Sequence, residues 1–370
     1  MKIVTINVGS STIKYARYET ERFVYSGRID RIGTPQAYVL EDKRIEHIKA
    51  RTFVQALDWL KQRIKTPDAV SYRVVYAHGF DKPCIVTKKL LDKIKEGTLV
   101  APLHNPWILK TILNFKRQFK VAKHIAVFDT YVHNTISDRN KMYAIPKKYT
   151  GQIQKNGFHG LVVESVISKL KQNGRHNKKI LVIHLGNGCS VTAVKNNRVV
   201  NTSMGYTPLD GIMMSTRCGA IDPGAILGLV KKVGVSKTEK ILWTESGLKA
   251  LGGASDLRDL RGRKQSRGVL DAFLDSIVRI IGMYYFELGG ADVIVFSGGI
   301  AENETWFLKR IFKRLNFLDL RFNKQKRGLI TIPKSEIEVY VLNADEQEML
   351  KRHACTLLRK ILRNNRKKNA

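Results

Sequence analysis

One short pattern occurs twice, and it restricts the kind of fold this chain can adopt. Residues Ile3 to Ile13 read Ile-Val-Thr-Ile-Asn-Val-Gly-Ser-Ser-Thr-Ile, and Ile180 to Val191 read Ile-Leu-Val-Ile-His-Leu-Gly-Asn-Gly-Cys-Ser-Val. In each, an apolar β-branched run leads to one polar residue (Asn7 or His184), an apolar step and a glycine (Gly9 or Gly186) among small polar side chains. A second extended run follows, Ile13 to Tyr18 and Val191 to Val194. Strand, tight glycine turn and returning strand is the reading. Small side chains let turn amides approach an anion, and bare N–H groups are what a phosphate needs. Two such hairpins roughly half a chain apart predict two related domains facing one cleft, with phosphate held between the hairpins.

At 370 residues and 43% apolar, the chain is long enough for two soluble domains with full cores. Met1-Lys2 leads straight into a β run without a cleavage site, and no stretch approaches the roughly 20 apolar residues of a membrane span. Cys84, Cys189, Cys218 and Cys355 are scattered, which argues for reduced thiols in cytoplasm and against a zinc site or disulfide frame. Net charge is the unusual property: 65 Lys and Arg against 32 Asp and Glu give +33. Such a field steers anionic substrates or attracts polyanions. The basic residues are spread from Lys61 to Lys368 without a dominant block or a nucleic-acid module, so the expectation is a solvated surface and no nucleic-acid partner.

Spacing of three and four among Phe53, Ala56, Leu57 and Leu60 predicts a helix over 51–64. Val70–Tyr76 and Ile125–Phe128 read as buried strands. A helix over Val269–Leu288 precedes a strand over Asp292–Phe296, which runs into Ser297-Gly298-Gly299 and a helix start near Glu302. Strand, glycine pair and helix is a phosphate or nucleotide edge in many α/β folds. A last helix over Asp345–Leu362 is expected to return to the first half, with Arg363–Ala370 as a frayed tail.

Several motifs in order resemble the acetate and propionate kinase family, within the actin, hexokinase and Hsp70 superfamily. They are Asn7-Val-Gly-Ser-Ser-Thr-Ile-Lys14, Arg73-Val-Val75, Ala101-Pro-Leu-His-Asn-Pro106, Phe128-Asp-Thr-Tyr-Val-His133, Gly157-Phe-His-Gly160 and His184-Leu-Gly-Asn-Gly188. Thr202–Gly211, Ser215-Thr-Arg-Cys-Gly219, Ser255-Asp-Leu-Arg-Asp259, Ser297-Gly-Gly-Ile-Ala-Glu-Asn303 and Ala344-Asp-Glu346 complete the series. The resemblance implies two duplicated ribonuclease-H-like α/β domains around a central cleft. It implies a substrate domain over 1–133, completed by a C-terminal helix over 349–370, and a nucleotide domain over 134–348.

The implied reaction is reversible, direct in-line phosphoryl transfer from ATP to acetate, giving acetyl phosphate and ADP. A carboxylate must approach a γ-phosphate that already carries negative oxygens, so cations and oriented donors must surround the reacting centre. Arg73 and Arg217 suit the carboxylate and phosphoryl clamp, because a planar guanidinium binds either group with two parallel bonds. His159 would donate a hydrogen bond to the phosphoryl in the transition state, and His104 would be a secondary donor or organise its own Pro-Leu-His-Asn-Pro loop. Asp129 would orient the nucleophile, or hold an arginine or a water near the metal; a carboxylate is already ionised near neutral pH and needs no general base. Mg²⁺, with Mn²⁺ as a substitute, would meet Asn7 and Glu346 directly or through waters.

By the same resemblance, Ser10, Thr12 and Lys14 would contact phosphate from the first hairpin, and His184, Gly186, Asn187 and Gly188 from the second. Asp256, Leu257 and Arg258 would lie near the adenosine, and Gly298, Gly299, Ile300 and Asn303 along the base. Val75, Leu103, Phe158 and Pro208 would wall a small dry pocket for the methyl group of acetate. A homodimer is implied.

The chain departs from the family pattern at Ser71-Tyr72 before the substrate arginine, at Tyr76–Phe80 after it, at Leu161-Val162-Val163, and at Cys218, Ala220 and Ala344. The charged groups are kept while their supports differ. Two other readings therefore stand beside the first: a catalytically weak nucleotide-binding relative with an anion-binding basic surface, and a kinase for propionate or butyrate.

Overall fold

The computed structural model of the chain describes residues 1–333 and 335–368. They form two compact units, 1–131 with 345–370, and 132–344. The first contains strands β1 (Lys2–Val8), β2 (Ile13–Glu19), β3 (Arg22–Asp30), β4 (Tyr38–Glu41), β5 (Arg44–His47), β6 (Ala69–Val74), β7 (Cys84–Ile85) and β8 (Lys123–Phe128). Their order is β5-β4-β3-β2-β1-β6-β8-β7. The second contains β9 (Lys179–Leu185), β10 (Cys189–Lys195), β11 (Arg198–Thr202), β12 (Val293–Ser297), β13 (Gly328–Leu329) and β14 (Glu338–Val341), ordered β11-β10-β9-β12-β14-β13.

The same five-stranded core lies in both units. An antiparallel meander, β3-β2-β1 or β11-β10-β9, is followed by two parallel strands, β6 and β8 or β12 and β14. Within β8 and β12 the apolar runs are continuous, as expected of parallel strands covered by helices on both faces. Ile125–Phe128 and Val293–Phe296 are buried throughout. The duplication read from the two hairpins thus extends to a five-stranded core, with different edge strands added in each unit.

Local chemistry fixes the helices. Thr52 and Gln55 form a reciprocal capping box at the start of Phe53–Arg63, whose buried side chains are Phe53, Ala56, Leu57 and Leu60. The C-terminal helix, Glu346–Lys368, packs on β1, β6 and β8 and buries Leu350, Ala354, Cys355 and Leu358. Ser71 donates to the Leu350 carbonyl at 3.0 Å. Because the helix starts at Glu346, residues 345–348 belong to the first unit and not to the second, and the earlier division falls at 131/132 rather than 133/134.

Two other expectations change. The helix expected near Glu302 starts at Gly299, directly after β12, and Glu304 separates it from a second helix, Thr305–Arg314. The expected frayed tail is helical to Lys368; Asn369 and Ala370 lie outside the described residues. Among the described residues, no helix is long and apolar enough to cross a membrane.

Candidate active site

In the first unit, four polar side chains converge at the strand ends. Asn7 is near the end of β1, Arg73 is on β6, Asp129 follows β8, and Glu346 opens the C-terminal helix. Asn7 lies one residue beyond Ile6, whose parallel partner is Tyr72, so register brings Asn7 beside Arg73. Arg73 Nη2 donates to Asp129 Oδ2 at 2.8 Å and Nη1 to Asn7 Oδ1 at 3.1 Å, while Nε lies 3.5 Å from Glu346 Oε1. Asn7 Nδ2 donates to Glu346 Oε2 at 3.0 Å. Asp129 is fully buried. Burial works against the guanidinium charge, but Asp129 and Glu346 outweigh it and hold the Arg73 pKa above its ordinary value.

One cation faces two carboxylates here, so the formal balance of the cluster is −1. Its donor atoms toward a cation are carboxylate and amide oxygens, the hard set Mg²⁺ prefers. Among the described residues, no group of three or more His, Cys, Asp or Glu could hold a metal ion.

In the second unit, the β9–β10 turn is the centre. Gly186 N–H donates to the Gly188 carbonyl at 3.1 Å, and the Cys189 thiol donates to the Gly186 carbonyl at 3.4 Å. Burial pushes that thiol up to about 12 despite the nearby Arg217, so it stays protonated. A Cβ on Gly188 would lie 3.2 Å from His159 Nε2 and 3.4 Å from Arg217 Nη1. Gly186 and Gly188 do not adopt positive φ; here glycine provides close approach, not handedness. Arg217 is buried, donates to the Pro208 carbonyl at 3.2 Å and stacks its guanidinium carbon 5.7 Å from the Trp243 ring centre.

His159 caps the helix Gly160–Gln172 with a left-handed backbone, φ 59°. His133 Nε2 pairs with the Phe158 carbonyl at 2.9 Å and fixes the chain just before it. The ring of His159 meets that of His184 edge to face, with centroids 4.7 Å apart. Leu161, Val162 and Val163 are buried side chains of the same helix, so this departure from the family pattern is core packing.

Other expected residues are distributed as follows. Gly9 N–H closes the first turn on the Thr12 carbonyl at 2.8 Å, and the Thr12 hydroxyl lies 3.2 Å from Asp30 Oδ1 as its donor. Ser10 and Lys14 are exposed. Gly298 has φ 91°, and a Cβ there would stand 2.5 Å from the Leu185 carbonyl oxygen, so only glycine fits. Its N–H donates to Glu302 at 3.1 Å, and Asn303 caps its own helix through the Gly299 carbonyl; Ile300 lies in that helix. Asp256 and Arg258 form an ion pair with each other at 2.5 Å, and hydrogen bonding to Arg258 holds the Asp256 pKa below the usual range. Leu257 is buried. Val75 and Leu103 belong to the first unit, Phe158 and Pro208 to the second. Asn105 ties the Ala101–Pro106 loop to the Tyr76 carbonyl at 2.7 Å, just past Arg73 and Val75.

Sequence reasoning missed Ser190, Ser297, His133 and Glu302 as partners of site groups. The short second turn contained the signal for Ser190, since hairpin register pairs it with His184. Ser297 required knowing that β12 lies beside β9, a pairing of distant segments.

Known proteins resemble this chain over nearly its whole length. The model of the Acetokinase family matches residues 2–352. The acetate kinase of Finegoldia magna is 36% identical over 393 residues, covering 96% of this chain and 100% of that protein. A propionate kinase from Francisella tularensis superposes with a TM-score of 0.87 at 29% identity, covering 95% of this chain and 98% of that one. The acetate kinase of Entamoeba histolytica gives 0.84 at 29% identity, covering 96% and 98%. On a family match over residues 2–352 and a relative 36% identical over its full length, the chain belongs to the acetokinase family.

Proposed function

We propose that this protein transfers a phosphoryl group reversibly between ATP and acetate, giving acetyl phosphate and ADP. The observation that carries the reading is that His159 Nε2 and Arg217 Nη1 both lie within 3.4 Å of where a Gly188 Cβ would stand. Phosphates of ATP bind the second unit, with Gly186, Asn187 and Gly188 at the turn, and Arg217 and His159 stabilise the equatorial oxygens of the group in transfer. Arg73 binds the carboxylate. Its five N–H donors exceed what Asp129, Asn7 and Glu346 take, and Asp129 holds the fork in one orientation. Acetate attacks as the carboxylate, so no proton transfer is required. Asn7 and Glu346 hold Mg²⁺, or Mn²⁺ in its place, directly or through water. The ion supplies charge neutralisation for the phosphates.

Cytoplasmic location and a homodimer belong to the same reading. The helix Pro223–Val233 buries none of its residues although it carries Ile226, Leu227, Leu229 and Val230, and Leu227 is 61% exposed. A second copy of the chain is the proposed cover. Sedimentation of the purified protein is expected to give twice the chain mass of 42.0 kDa; a single-chain mass at micromolar concentration would remove this part.

Initial rates over acetate, propionate and butyrate test substrate choice. Acetate and propionate are expected to be used with kcat/KM at least about tenfold above butyrate, since a pocket discriminates about that much per misfitting methylene. A preference for butyrate would reassign the substrate.

A further inference from the structure

Two buried serines of the second unit each hold one imidazole. Ser190, His184 and Ser297 are in register across β10, β9 and β12, so their side chains leave the same face of the sheet. His184 Nδ1 lies 3.1 Å from Ser297 Oγ, and His159 Nδ1 lies 3.0 Å from Ser190 Oγ. Both serines are buried, at 1% and 0% exposure. His159 reaches this row from a different segment and stands edge to face on His184. Its left-handed backbone is a conformation that persists only where the surroundings enforce it.

We propose that Ser190 and Ser297 are positioning residues for phosphoryl transfer, Ser190 acting through His159 and Ser297 through His184. The inference rests on the phosphotransfer reading for its effect on turnover. Ser190 binds Nδ1, and the opposite ring nitrogen, Nε2, lies 3.2 Å from where a Gly188 Cβ would stand, the position that Arg217 Nη1 also neighbours. A hydroxyl can donate to a ring nitrogen or accept from its N–H. Ser190 therefore donates to the neutral imidazole, leaving the proton on Nε2 where an anion needs it, and accepts from the charged one without turning the ring. Ser297 does the same for His184, whose ring supports that of His159. The duplication gives this row a counterpart: Lys14, Asn7 and Arg73 occupy the corresponding positions on β2, β1 and β6.

A double-mutant cycle on the full chain separates positioning from packing. With His159 present, Ser190→Ala is expected to lower kcat about tenfold, as loss of a support to a site histidine commonly does, with KM for ATP and acetate changed less than about twofold. In a His159→Ala background the same substitution is expected to change nothing further. Equal losses in both backgrounds, or no loss in the first, would overturn the proposal. A second measurement does not depend on turnover. In nitrogen-15 spectra of the imidazoles, Ser190→Ala is expected to move the ring signals of His159 more than those of His184, and Ser297→Ala the reverse. Unchanged His159 signals in Ser190→Ala would overturn the proposal even in a chain that phosphorylates no carboxylate. A wild-type chain without acyl phosphate formation would instead overturn the reaction and leave the spectra to decide the positioning.

Discussion

Arg217→Ala is expected to lower kcat for acetyl phosphate formation about 10³-fold, the scale of an arginine that stabilises a phosphoryl group in transfer. The ground for so large an effect is the side chain's setting. Its guanidinium is held by the Pro208 carbonyl and the Trp243 ring, and Nη1 stands beside the Gly188 position together with His159 Nε2. Charge prearranged in this way needs no reorganisation as the transferring group spreads its own charge over three oxygens. Because the effect is confined to the transition state, ATP affinity should fall far less than kcat. Arg217→Lys is expected to recover little, since an ammonium restores the charge but not the planar fork. Rates of acyl phosphate formation with titrated ATP would check both, and a pure KM effect would move Arg217 out of the transition state.

Asp129→Ala carries the second large expectation, and it concerns stability as well as rate. Asp129 is fully buried and receives the 2.8 Å bond from Arg73 Nη2. Removing it leaves a guanidinium in a low-dielectric site with Glu346 and Asn7 as the remaining partners in the cluster. Breaking a buried pair from one side costs about 3 kcal/mol. Asp129→Ala should therefore lower the denaturant midpoint of the protein and raise KM for acetate at least about tenfold, because Arg73 loses the contact that orients it. Asp129→Asn keeps an acceptor oxygen and should lose less stability. Denaturant unfolding beside acetate titration reads both effects; an unchanged midpoint and KM in Asp129→Ala would show that Arg73 is held by other groups.

Much of this arrangement was legible in the sequence, and the pieces that were not share one cause. The hairpins, the buried strands and the helix at 53–63 follow from local period and composition, and the charged groups follow from the motif series. Partners contributed by distant strands were not legible. Asp30, on β3, pairs with the Thr12 hydroxyl expected to meet phosphate, and Ser297, on β12, meets His184 across a parallel pairing. The last helix was legible to within a residue: expected from Asp345 and returning to the first half, it starts at Glu346 and packs on β1 and β6 in the first unit. The turn glycines were read as allowing close approach, and Gly188, without positive φ, sits where a Cβ would crowd His159 and Arg217.

The most direct measurement is to trap acyl phosphate as its hydroxamate from the purified full-length chain with acetate, ATP and Mg²⁺. Acetyl hydroxamate should accumulate in step with ADP, and chelation of the metal should stop both. ATP binding without hydroxamate, or ADP release that ignores acetate, would contradict the account and leave a nucleotide-binding protein in its place.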